Sequence, residues 1–170
     1  MIPGKLSRLG IVSVLAAVMY TGLPASQQDD LPDWLVCRLP APSSDSKMMP
    51  AGGGGITLRV APGHMLEIPG GSLSPGARVT LTVLEETKPG VDIEIAAIES
   101  TSNSQTLLKP ATLSITYRDC EPKGNPAHYR IHRRVPGQDR WIAVGGRPAR
   151  EERTISAKLP SFSTYSLAAN

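Results

Sequence analysis

A chain of 170 residues with 40% hydrophobic and 19% charged residues has room for one ordinary core and lies away from the low-hydrophobicity, high-charge composition of a disordered protein. Its formal charge of +3 is small and its basic residues are dispersed among acids, which speaks against the continuous basic stripe of a nucleic-acid-binding protein. With 16 Gly and 16 Pro against two Trp, four Tyr and one Phe, the composition suits short strands and tight turns better than packed helices.

Residues 1–25 read as a secretory signal peptide. Lys5 and Arg8 form a basic start, residues 9–20 form an uncharged apolar run, and Leu23, Pro24, Ala25 and Ser26 form the cleavage region, with Leu23 large for its position. The run is shorter than the roughly 20 residues a membrane span needs. The expectation is export to the periplasm or the extracellular space, with membrane contact only if the segment is kept as an anchor. Removing it takes Lys5 and Arg8 away and lowers the formal charge from +3 to +1.

Residues 26–55 are rich in Pro, Ser and Gly and end in the tetraglycine run of residues 52–55, the composition of a flexible linker. The segment holds Cys37, whose only potential partner is Cys120. In an exported chain the pair points to a disulfide that would pin Trp34, Leu35 and Val36 onto the domain. Two cysteines so far apart lack the close spacing of a zinc motif.

From residue 56 to 170 the pattern becomes apolar alternation broken by turn residues. Strands are expected at 56–60 and 64–68 around the turn Ala61, Pro62 and Gly63, then at 78–86 with Val79, Leu81 and Val83 on one face. The run at 92–98 turns Ile93 and Ile95 inward, and 112–118 does the same with Leu113, Ile115 and Tyr117. A hairpin over 129–135 and 141–144 turns at Pro136 and Gly137, and 154–159 and 164–168 close the chain. About nine strands with no amphipathic helix predict an all-β, antiparallel two-sheet β-sandwich.

The order of these motifs resembles the ZU-five β-sandwich domain of netrin receptors, ankyrins and zonula occludens proteins, as found in small exported bacterial proteins. The matching stretches are M-L-E-I-P-G-G-S-L-S from Met65 to Ser74, the V-T-L-T-V strand, L-L-K-P-A-T-L-S-I-T-Y from Leu107 to Tyr117, the hairpin ending at Trp141, and S-F-S-T-Y-S-L from Ser161 to Leu167. The resemblance implies a sandwich from residue 56 to the C-terminus. It also implies a test, because some relatives cut their own backbone at His-Phe-Ser, the serine hydroxyl attacking the preceding carbonyl with the histidine's help. Here Ser161 stands where that histidine would be, followed by Phe162 and Ser163. A serine hydroxyl is a poor general base near neutral pH, so cleavage before Ser163 is not expected, and Phe162 reads as a core residue.

No other stretch carries a catalytic pattern, and the expectation is a non-enzyme with no cofactor and no metal. His128 and His132 would share a sheet face in an extended segment, but with Arg130 between them. Arg130, Arg133, Arg134, Arg140, Arg147, Arg150 and Arg153 crowd one stretch that Asp139, Glu151 and Glu152 dilute. The tetraglycine run lacks the lysine and following helix of a phosphate loop. Two readings stand. One is a structural or protein-binding module contacting an unidentified protein or envelope component. The other is a glycan-binding module using exposed rings among Trp34, Tyr117, Tyr129, Trp141 and Tyr165, for which coplanar rings on one face would speak and burial would not.

Overall fold

Alternating apolar positions become strands here because each strand can bury one face. In β5 (Arg78–Val83), Val79, Leu81 and Val83 are buried while Arg78 and the threonines lie outward. The computed structural model describes residues 32–38, 42–84, 93–98, 106–149 and 151–169, all within the unit Leu31–Asn170. The signal segment and residues 85–92 fall outside the described residues.

The architecture is all-β with antiparallel sheets. The first sheet runs in the order β2 (Ser43–Met48), β5, β6 (Ile93–Ile98), β12 (Thr164–Ala169), β8 (Tyr129–Arg134), β9 (Trp141–Gly145). β1 (Asp33–Trp34) is added on β12. The second sheet runs β10 (Arg147–Ala149), β11 (Thr154–Ser161), β7 (Thr106–Thr116), β4 (His64–Ile68), β3 (Ile56–Val60). One core takes side chains from both sheets, among them Leu81, Ile93, Ile131, Tyr165 and Leu167 from the first and Leu58, Leu66, Leu113, Ile115 and Ile155 from the second.

Two expectations are corrected. The described residues carry twelve strands rather than about nine, the additions being β1, β2 and β10. Two of these lie in the stretch expected to be a flexible linker, so the sheet structure begins well before residue 56. Ser43–Met48 pairs along its whole length with β5, and Met49 is buried in the core. The tetraglycine run is docked. A Cβ on Gly70 would stand 1.9 Å from the Gly53 carbonyl oxygen, and one on Gly55 would stand 2.7 Å from that of Ile68. Glycine is required there because two backbones touch, not because the segment swings free.

β7 starts earlier than the expected 112 because Pro110 does not end it. Pro110 and Pro160 both fall where the β7–β11 register shifts, between the pairs Leu159↔Ala111 and Ser161↔Thr106. A residue without an N–H is tolerated where the ladder is already broken.

Candidate interaction surface

The degenerate Ser161, Phe162, Ser163 motif forms the corner between β11 and β12. Phe162 is 3% exposed and belongs to the core. The Ser161 hydroxyl accepts from the Arg133 guanidinium at 2.7 Å, and its carbonyl accepts from the Tyr165 hydroxyl. Ser163 donates its hydroxyl to the Arg134 carbonyl at 2.8 Å, and its own carbonyl accepts from the Ile95 N–H at 3.0 Å. Burial pushes the Tyr165 hydroxyl up to about 12, against the opposing pull of its bond to Ser161 and the charge of Arg133. A phenol held protonated in this way donates a hydrogen bond and does not accept a proton at neutral pH. The motif therefore ties the β11–β12 corner to β6 and β8.

Cys37 and Cys120 form the disulfide. Around it the N-terminal segment is laced to the loop after β7. The Glu121 N–H donates to the Val36 carbonyl at 2.7 Å, the Arg38 N–H donates to that of Asp119 at 2.9 Å, and Leu35 is fully buried. A groove of about 420 Å³ opens beside the bond, lined by Leu35, Tyr117, Cys120, Glu121, Tyr129 and Arg153. Tyr117 and Tyr129 meet edge to face at 5.3 Å, and the Arg153 guanidinium lies 6.0 Å from the Tyr117 ring centre. Both tyrosines are almost wholly buried, so they form the floor rather than a stacking platform.

The histidines separate. His128 ends a 3₁₀ turn (Pro126–His128) capped by Asn125, so it does not share a strand face with His132 as an extended run would require. His132 lies on β8 with Nδ1 at 3.2 Å from the Arg130 carbonyl, and burial lowers its pKa. His64 is fully buried on β4, which sequence reasoning did not single out. The signal was present in the alternation of His64 with Leu66 and Ile68.

The register puts Trp34 beside Ala168 and His132 beside Ser166 on the outer face of the first sheet. Trp34 meets Trp141 at 4.9 Å and His132 at 5.7 Å, in both cases edge to face. This cluster covers β12 from outside, so Ser166 and Ala168 are buried as completely as the core-facing Tyr165 and Leu167. The two indoles stand at 67° to each other.

The arginine-rich stretch does not form one patch. Arg130 bonds the Ala127 and Tyr129 carbonyls, Arg133 reaches Ser161, and Arg134 pairs with Asp139 at 3.5 Å. Arg153 lies over Tyr117, and Arg150 is outside the described residues.

The terminal strands along the two sheet orders are β2, β9, β10 and β3, and the two-residue β1 is a further outer strand on β12. An open strand edge invites pairing with another chain unless charge, proline or a covering group blocks it. β2 carries Asp45 and Lys47. These same side chains cover β3, because Asp45 accepts from the Arg59 N–H at 2.9 Å and Lys47 donates to the Thr57 carbonyl. β10 is three residues long and contains Pro148. β9, of sequence W-I-A-V-G, carries neither a charge nor a proline.

No family model matches this chain, and no curated protein matches it.

Proposed function

We propose that this chain is an exported, non-catalytic β-sandwich module, ZU-five-like in its order of motifs, that works outside the cytoplasm by contacting a protein or an envelope component. The observation that carries this reading is the unequal treatment of the terminal strands: β2, β3 and β10 are blocked, while the apolar β9 has no partner on its outer side among the described residues. The disulfide fits an oxidising compartment, periplasmic or extracellular. Glycan stacking has weaker support. Tyr117, Tyr129 and Tyr165 are at most 5% exposed, and the Trp34 and Trp141 rings are not coplanar.

The reading is tested by the intact mass of the protein recovered from the exported fraction, with and without reduction and alkylation. A single species starting near Ser26, with both thiols blocked until reduction, is expected. Recovery only from the cytoplasm with two free thiols would sink the exported-module reading. A fragment starting at Ser163 would make the chain an autoprocessing domain instead.

A further inference from the structure

Sheet edges in one molecule serve as controls for one another. β2 and β3 are guarded by Asp45 and Lys47, and β10 by its shortness and Pro148. On β9 the pairing with β8 fixes which groups are free. The Val135 N–H donates to the Arg140 carbonyl at 2.8 Å, so Val135 and Arg140 form a hydrogen-bonded pair. Hydrogen-bonded and non-bonded pairs alternate in an antiparallel ladder. Arg133↔Ile142 is therefore the next bonded pair, while Arg134↔Trp141 and His132↔Ala143 are non-bonded pairs. Trp141 and Ala143 consequently turn their N–H and C=O groups to the side away from β8, where no described strand pairs with them.

The side chains along this edge are apolar on both faces. Trp141 joins Trp34 on the outer face, while the register sets Ile142 beside Arg133, which is itself opposite Tyr165, on the inner one. Charge brackets the strand: Arg140 precedes β9 and Arg147 follows its sheet-crossing glycines. Both arginines are exposed, and neither makes an ion pair among the described residues, whereas Arg134 is matched by Asp139. We infer that β9 is the docking edge for an extended segment of a partner protein, an apolar run of about five residues with a carboxylate at each end, which adds a strand to the first sheet through Trp141 and Ala143. The backbone groups supply the pairing, Trp141 and Ile142 supply contacts for alternate side chains, and Arg140 and Arg147 set the register.

This inference rests on the interaction-module reading, and it is tested on the disulfide-bonded chain from residue 26 onward. The probes are three capped peptides, Glu-Val-Thr-Val-Thr-Val-Glu, the same core with Lys at both ends, and the acidic peptide with Pro at its centre. Binding is read by fluorescence anisotropy, and amide exchange is followed by NMR. The acidic peptide is expected to bind at least about tenfold tighter than the lysine-flanked one, the effect of two exposed ion pairs against two repulsions, and to weaken with added salt. The proline peptide should not bind. Exchange should slow at the Trp141 and Ala143 amides and stay unchanged at Arg59.

Two variants keep the test decisive. Ala143→Pro removes an outward N–H at an edge position and should abolish binding. Arg140→Glu with Arg147→Glu changes only exposed charges and should reverse the preference toward the lysine-flanked peptide. Equal binding of all three peptides, or no slowing at Trp141 and Ala143, overturns the inference. So does a dimer of the free chain that Ala143→Pro abolishes, because the occupant would then be a second copy. In the exported fraction, a photo-crosslinker at position 143 should capture a partner. Capture from other faces but not from 143 would leave the module reading standing and remove β9 from it.

Discussion

His64 shows how a single side chain ties this fold to pH. Its Nδ1 accepts the Thr116 N–H at 3.2 Å, which puts the ring proton on Nε2, and that buried atom has no partner among the described residues. A second proton would turn Nδ1 from acceptor to donor against an N–H and place a charge in the core. Burial accordingly lowers the pKa from 6.5 to about 4. The folded pKa lies below the unfolded one, so the unfolded chain binds the extra proton in the interval between them. Stability from neutral His64 is complete above about pH 6.5 and is lost as pH falls toward 4, by about 3 kcal/mol in all. His64→Asn keeps an acceptor for Thr116 and does not titrate. In urea unfolding from pH 7 to pH 4, the stability of the natural chain should fall relative to that of this variant by about that amount. Parallel stability curves would show that His64 is not the titrating group.

Among the elements, β1 is the one that cannot hold itself. Two residues pair with β12, at Asp33↔Ala169 and Trp34↔Ala168, too few to be stable without side-chain anchors. Those anchors are Leu35 in the core, the Lys123–Asp33 ion pair at 2.6 Å and the Cys37–Cys120 bond. The bond joins residues 83 apart, and the chain-entropy model gives it about 4 to 5 kcal/mol. Cys37→Ala with Cys120→Ala should lower the unfolding free energy by about 2 to 5 kcal/mol and make the amides of residues 32–38 the first to exchange, while β5 stays protected. An unchanged denaturant midpoint would contradict this account. Sequence pattern reached the elements that bury a face: β3 and β4 stand at 56–60 and 64–68 as expected, and Val79, Leu81, Leu113, Ile115 and Phe162 are inside. It missed β2, because S-S-D-S-K-M has no apolar alternation and exists to finish an edge. It missed β10 because three residues around a proline carry no period. The candidate edge was legible only as an apolar hairpin arm, since what sets it apart is the guarding of its rivals by residues distant in sequence.

At the scale of the whole molecule, the two sheet orders end in four terminal strands, and this chain deals with them in pairs. On one side β9 crosses into β10 through Gly145 at φ +103° and Gly146, where a Cβ would meet Ile155 at 2.8 Å. The β-bulge at Val144 bends the strand toward that crossing. On the other side β2 and β3 belong to different sheets and are joined by side chains, Asp45 to Arg59 and Lys47 to Thr57. Asp45 and Lys47 also pair with each other at 3.8 Å, and both are partly exposed. Exposed pairs of this kind contribute at most about 1 kcal/mol, so stability alone would not explain the arrangement. Their larger effect is to occupy the Arg59 N–H and the Thr57 carbonyl, which would otherwise be open to a neighbouring chain. Asp45→Ala with Lys47→Ala should therefore leave the thermal midpoint nearly unchanged while producing concentration-dependent self-association through β3. Sedimentation across a concentration series reads this directly, and placing Pro at Arg59 in the same background should restore the monomer by removing the exposed N–H. A double variant that stays monomeric at every concentration would show that the β3 edge is closed by something other than these two side chains.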